Sequence, residues 1–256
     1  MIKIDITGQF ELLPKAPIVE AVIQVHARPE SSWKEKEILA CLKPKLQGYE
    51  KSTSRNAVKH EVKLAAAHPP QTSEQNLGWH GLLCQSNDER QSVQFNRDGF
   101  IFSRLQPYQN WAQFFGEAIR LWKIYLETAR PTEMQRIGLR FINKIPLPPK
   151  EVNFEDYIQP YPEPPFDLEL PFLSFFHHDT LAVPGHPYAI NIIRTIQPAQ
   201  NPQAEGIGLI VDIDAFTTQP LEIKDGVLEE RLAELRWLKN KTFFGSIKSK
   251  ALELFR

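Results

Sequence analysis

Cysteine is nearly absent from this chain of 256 residues: only Cys41 and Cys84 occur, far apart. That excludes a disulfide framework. It also excludes the familiar zinc spacings, because neither cysteine has a CxxC or histidine neighbour at ligand distance in sequence. Each is read as a small buried hydrophobe with a reduced thiol. Long apolar runs are missing too. No stretch approaches the roughly 18 residues that a membrane helix needs, and Met1–Phe10, which carries Lys3 and Asp5, lacks the apolar core of a secretory signal. The expectation is a cytoplasmic protein. Charge of one sign is not in excess, since 30 basic residues face 31 acidic ones for a net of −1. No global field therefore draws nucleic acid or an anionic membrane. No Gly-rich phosphate loop, no Gly-x-Ser-x-Gly elbow and no His-Glu-x-x-His is present. Nothing compels a reaction, and no cofactor is expected.

What is present is a run of elements that reads the same way twice. Pro17 introduces an apolar strand over Ile18–Val25, and Ser31 or Ser32 starts a helix to about Leu46, with Glu35 closing a capping box on Ser32. Extended segments follow at Ala57–Ala67, Gly78–Gln85 and Gln91–Leu105, with an exposed loop over His68–Asn76 and turns at Asn87-Asp88 and Arg97-Asp98-Gly99. Asn110 caps a helix over 111–128 whose broad aromatic stripe, Trp111, Phe114, Phe115, Trp122 and Tyr125, is suited to lie across a sheet. The order then recurs: a strand at Arg136–Ile145, a proline-rich stretch over 150–171 with a short helix near Phe154–Ile158, and strands at Leu173–Val183, Tyr188–Gln197 and Gly206–Ala215. A helix from Gly226 to Leu238 comes next, with a second segment from Thr242 onward. The expected fold is α+β: a duplicated β-α-β-β-β-α unit, halves 1–135 and 136–256, sharing one largely antiparallel sheet with both long helices on one face.

Several polar groups are candidates for a site. Asp212 and Asp214 are two apart on a strand, so both carboxylates share a face and could hold a divalent metal for phosphoryl transfer. Arg136 and Arg140 flank Gly138 on one strand face, with Asn143 beyond, and two guanidinium groups could grip a carboxylate or phosphate. They could equally pair with Asp212, Asp214 or Glu20 across the sheet. In His177-His178-Asp179 the middle residue faces away from the other two, which spoils a three-residue metal site. Seven basic residues stand against two acidic ones over 231–256. Lys239 and Lys241 among them are candidates for a partner-binding basic surface, the alternative being a solvated helix face.

The blocks Leu13–Glu20, Val93–Phe95, Phe100–Trp111, Arg136–Pro148, Val211–Asp214 and Leu235–Phe244 together resemble a bacterial family described as "sporadically distributed protein", of unknown function. The resemblance spans most of the chain and supplies no catalytic residues. It implies patchy occurrence, as for defence or mobile-element genes, and a cytoplasmic setting. The element order is also similar to the saddle of the TATA-box-binding protein, although a DNA-gripping saddle needs many more cations. A helix-grip fold around an apolar cavity is the other architecture. The function expected is a non-catalytic binding or adaptor protein, meeting a protein or nucleic-acid partner through the open sheet face or the 150–171 loop, with a homodimer formed through edge strands. A nucleic-acid binder and a metal-dependent phosphoryl-transfer enzyme using Asp212 and Asp214 are the alternatives.

Overall fold

The structure, a computed structural model, describes residues 2–30, 34–63, 71–148, 152–164, 170–198 and 206–256. Its architecture starts from alternation. In Ile18–Ala27 (β1), Ala21, Ile23, Val25 and Ala27 are fully buried, while Val22, Gln24 and His26 are partly exposed. Such a period of two belongs to a strand with one face in the core. Glu35–Leu42 (α1) buries Ile38 and Leu42 and stops two residues before Pro44. Pro44 has no amide proton to give to the Ala40 carbonyl, so the helix falls short of the expected Leu46 although Lys43 keeps helical dihedrals. The capping box expected at Ser31 and Ser32 lies outside the described residues.

Lys51–Lys63 (β2) and Gln71–Gln85 (β3) pair antiparallel. The exposed loop expected over His68–Asn76 is therefore strand from Gln71 onward, while residues 64–70 lie outside the described set. Thr72–Asn76 remain exposed, because ladder hydrogen bonds satisfy their backbone without burying their side chains. Gln91–Asn96 (β4) turns into Gly99–Leu105 (β5). The turn needs glycine at 99, where φ is +148° and a Cβ would sit 2.1 Å from the Val25 carbonyl oxygen. Trp111–Ala129 (α2) begins where expected, its Asn110 side chain accepting from the Gln113 amide at 2.9 Å.

The remaining strands are Glu133–Leu147 (β6), Phe176–Ala182 (β7), Tyr188–Pro198 (β8), Ile207–Thr217 (β9) and the short Leu221–Glu222 (β10). Among the described residues between β6 and β7, Phe154–Asp156 forms the one helical turn. Val227–Ser246 (α3) is one continuous helix, with no break after Leu238. Its buried Leu228, Leu232, Leu235, Leu238 and Phe243 extend the apolar stripe through the expected gap. Ser249–Leu252 (α4) and a turn at Glu253–Phe255 follow.

The ten strands of the described residues join one antiparallel sheet in the order β2-β3-β4-β5-β1-β6-β9-β8-β7, with β10 on β6. β1 and β6 meet in its middle, with Ala21 opposite Phe141, Ile23 opposite Leu139 and Val25 opposite Ile137. α2 rests rings on this layer: Trp122 meets Phe100 edge-on at 5.7 Å and Phe114 stacks on Phe102 at 5.3 Å. The Tyr125 hydroxyl donates to the Ala27 carbonyl at 3.0 Å. α3 packs against β6 and β9. Each large apolar side chain fully buried here contributes about 1.5–3 kcal/mol.

Candidate functional site

The residues alternating with the core line the second face of the sheet. There Gln24, Gly138 and Phe216 lie side by side, as do Val22, Arg140 and Asp214. Arg136 donates through Nη2 to Asp214 Oδ2 at 2.6 Å and stacks its guanidinium 4.3 Å from the centre of the Phe216 ring. Gly138 makes this possible, since a Cβ there would stand 2.7 Å from Arg136 Nη1. Arg140 makes a bidentate contact with Asp212, Nε to Oδ1 at 2.8 Å and Nη2 to Oδ2. Glu20 is partly buried near this pair, and its charge helps raise the pKa of Arg140 after the larger contribution of Asp212. Both aspartates are thus engaged by arginine. Among the described residues no three of His, Cys, Asp and Glu converge on a cation-sized site. Asn143 is not with the arginines: it faces the core, fully surrounded, and its amide donates to the Val211 carbonyl at 2.9 Å.

Along β7 the alternation is as expected. Asp179 pairs with the buried Arg194, His177 lies against Phe175 and His178 against Phe176. Both cysteines are free, and burial pushes the Cys84 thiol up to about 11. The basic residues of 231–256 are dispersed. Arg231 pairs with Glu230 and Glu234, Lys250 with Asp156 and Arg256 with Glu11, while Arg236 sits over the Trp111 ring. Lys241 is exposed. Lys239 is not on its surface at all, which corrects the expectation of a shared basic patch. Two residues along a helix turn the side chain to the opposite side, so Lys239 points inward where Lys241 points out.

Lys239 is 8% exposed and lines a cavity of about 700 Å³. Its ammonium lies 4.0 Å from the centre of the Phe141 ring, and among the described residues no carboxylate pairs with it. Burial, reinforced by the charge of Arg236, pushes its pKa down to about 7. Three elements form the chamber. α3 supplies Arg236, Lys239 and Phe243; β6 supplies Phe141 and Asn143; the approach to α2 supplies Tyr108 and Trp111. Tyr108 is fixed edge-on against both Phe114 and Phe141, and burial raises its phenol above the usual value. No family model, curated protein or solved structure matches the chain.

The fourth wall is the N-terminal segment 6–18, a strap laid across α3. Phe10 stacks on Phe244 at 5.6 Å and meets Trp237 edge-on, and Glu11 accepts two bonds from Arg256. The Lys15 amide donates to the Phe255 carbonyl at 3.1 Å. Glu11, the one acid on the chamber wall among the described residues, is therefore held by Arg256, and the free cations Lys239 and Arg236 set the sign of the field inside. The sequence carried a signal for this. Leu232, Leu235, Lys239 and Phe243 fall on one helical stripe, so a lysine occupies a position whose neighbours all face the core.

Proposed function

We propose that this protein binds a small organic anion with a flat apolar body in the chamber beneath the strap. The observation that carries the reading is Lys239: a desolvated cation without a carboxylate, on the wall of a ligand-sized cavity. A lone buried ammonium is costly, and an incoming carboxylate or phosphate group would offset that cost. A volume of about 700 Å³ lies in the usual range for organic ligands, and its lining combines aromatic rings with polar groups such as Gln9, Gln109, Asn110 and Asn240. The test is a thermal-shift and calorimetric titration with 2-naphthoate against its neutral counterpart 2-naphthamide. The acid binds and raises Tm, the amide does not, and Lys239→Met abolishes the difference. Equal response to both compounds, or none to either, refutes the reading.

The fold reading extends this proposal. The chain is a duplicated unit, with β1, β5, β4 and β3 corresponding to β6, β9, β8 and β7, and α2 to α3. Support comes from the strand order, in which β1 and β6 are adjacent and each is followed outward by the strand preceding its long helix or the β10 turn. Both helices then cover the same face, since α2 meets Phe100 and Phe102 and α3 meets Phe141, all on the buried set. The chamber lies at the seam between repeats. The second face, with partly exposed Val22, Ile142, Ile210 and Phe216 around neutralised arginines, suits a protein partner better than a phosphate backbone.

A further inference from the structure

Resting on the chamber reading, one further step concerns what Lys239 does there. Most lysines in folded proteins are held protonated by water or a carboxylate and cannot act as nucleophiles. Among the described residues no carboxylate pairs with Lys239. The residue is 8% exposed and faces the chamber, its ammonium lies over the π face of Phe141, and the charge that acts on it is that of the cation Arg236. The chamber gives a ligand room beside it. We propose that Lys239 captures an aldehyde or ketone bearing an anionic group, forming a reversible imine inside the chamber.

The step balances without an oxidant or reductant. The neutral amine attacks the carbonyl carbon, a C–N bond forms, and the proton leaving nitrogen ends on the former carbonyl oxygen. The carbinolamine hydroxyl then takes a proton from solvent and leaves as water while the nitrogen lone pair closes the C=N bond, giving the protonated imine. One water is released per capture. An apolar wall favours that loss of water. Phe141, already under the lysine nitrogen, stabilises the positive charge of the protonated imine. Arg236 takes the ligand's anionic group and so orients the carbonyl toward Lys239.

At pH 7 the depressed pKa of about 7 leaves half of Lys239 as free amine. An unperturbed lysine has roughly 1 part in 2,500 in that form. Lys241, exposed two residues away, is the internal reference.

The experiment treats the full chain with 4-carboxybenzaldehyde and cyanoborohydride at pH 7 and reads lysine modification by peptide mass spectrometry. Lys239 is expected to be reduced to a stable secondary amine roughly 100-fold or more faster than Lys241. Added 2-naphthoate slows this labelling, and uncharged benzaldehyde labels Lys239 more slowly. Lys239→Arg keeps naphthoate binding and loses the adduct. Labelling of Lys239 no faster than Lys241 overturns the imine, and equal labelling by benzaldehyde overturns the anionic requirement. If naphthoate binds but Lys239 stays unmodified, the imine alone falls. If naphthoate also fails to bind, the chamber reading falls with it.

Discussion

Replacing Lys239 by methionine should stabilise the empty protein, and by an amount that depends on pH. Methionine is similar in length, keeps the contact with Phe141 and carries no charge to desolvate. The folded pKa of about 7 lies below the ordinary lysine value of 10.5. Between those values the unfolded chain binds more protons than the folded one, so wild-type stability rises with pH across that window. Below about 7 the whole penalty is present. At 1.36 kcal/mol per unit, the charge on Lys239 costs about 4–5 kcal/mol at pH 6 and about 2 kcal/mol at pH 9. The variant's advantage should therefore shrink by about 2–3 kcal/mol between the two. Urea unfolding followed by tryptophan fluorescence, on both proteins at both pH values, measures it. Other titrating groups cancel in the difference between proteins. An advantage equal at pH 6 and pH 9, or a variant less stable than wild type at pH 6, would refute the claim that this ammonium is buried uncompensated.

Other outcomes follow from the same geometry. Binding of 2-naphthoate at pH 8 should take up close to one proton per ligand and at pH 6 almost none, read by calorimetry in buffers of different ionisation enthalpy; Lys239→Arg should remove the uptake. Asp212→Asn and Arg140→Ala should couple in a double-mutant cycle by about 1–2 kcal/mol, limited by the solvent exposure of Arg140, and Mg²⁺ should not shift Tm in wild type or Asp212→Asn. Asn110→Ala should cost about 1 kcal/mol in thermal unfolding through loss of the α2 cap.

The frame of the fold was readable because its signals are local. Alternation in Ile18–Ala27, the Asn110 cap and the glycine turn at 99 each depend on neighbours within a few residues. The extent of β3 was not, because Thr72–Asn76 are polar and exposed and only the partner strand holds them extended. The break expected after Leu238 failed for a related reason: Asn240, Lys241 and Thr242 look like a helix end, yet the burial of Phe243 and Ser246 carries the helix on. Of the candidate residues, the arginine–aspartate pairs were one of the alternatives that strand spacing left open, beside a ligand grip and a metal site. Lys239 was grouped with Lys241 because composition counts charge without direction. Its stripe with Leu235 and Phe243 pointed inward, but the strap that closes over it comes from residues more than two hundred positions away, a distance no local pattern spans.

That strap carries a temporal consequence. Glu11 clasps Arg256 across 245 positions, and Phe10 docks on Trp237 and Phe244. As the polypeptide emerges from the ribosome, residues 6–18 wait for a docking surface made of residues synthesised more than two hundred positions later. Vectorial synthesis thus makes the sheet strands before the helix on which the strap docks, so the chamber gains its strap wall only after α3 has been made.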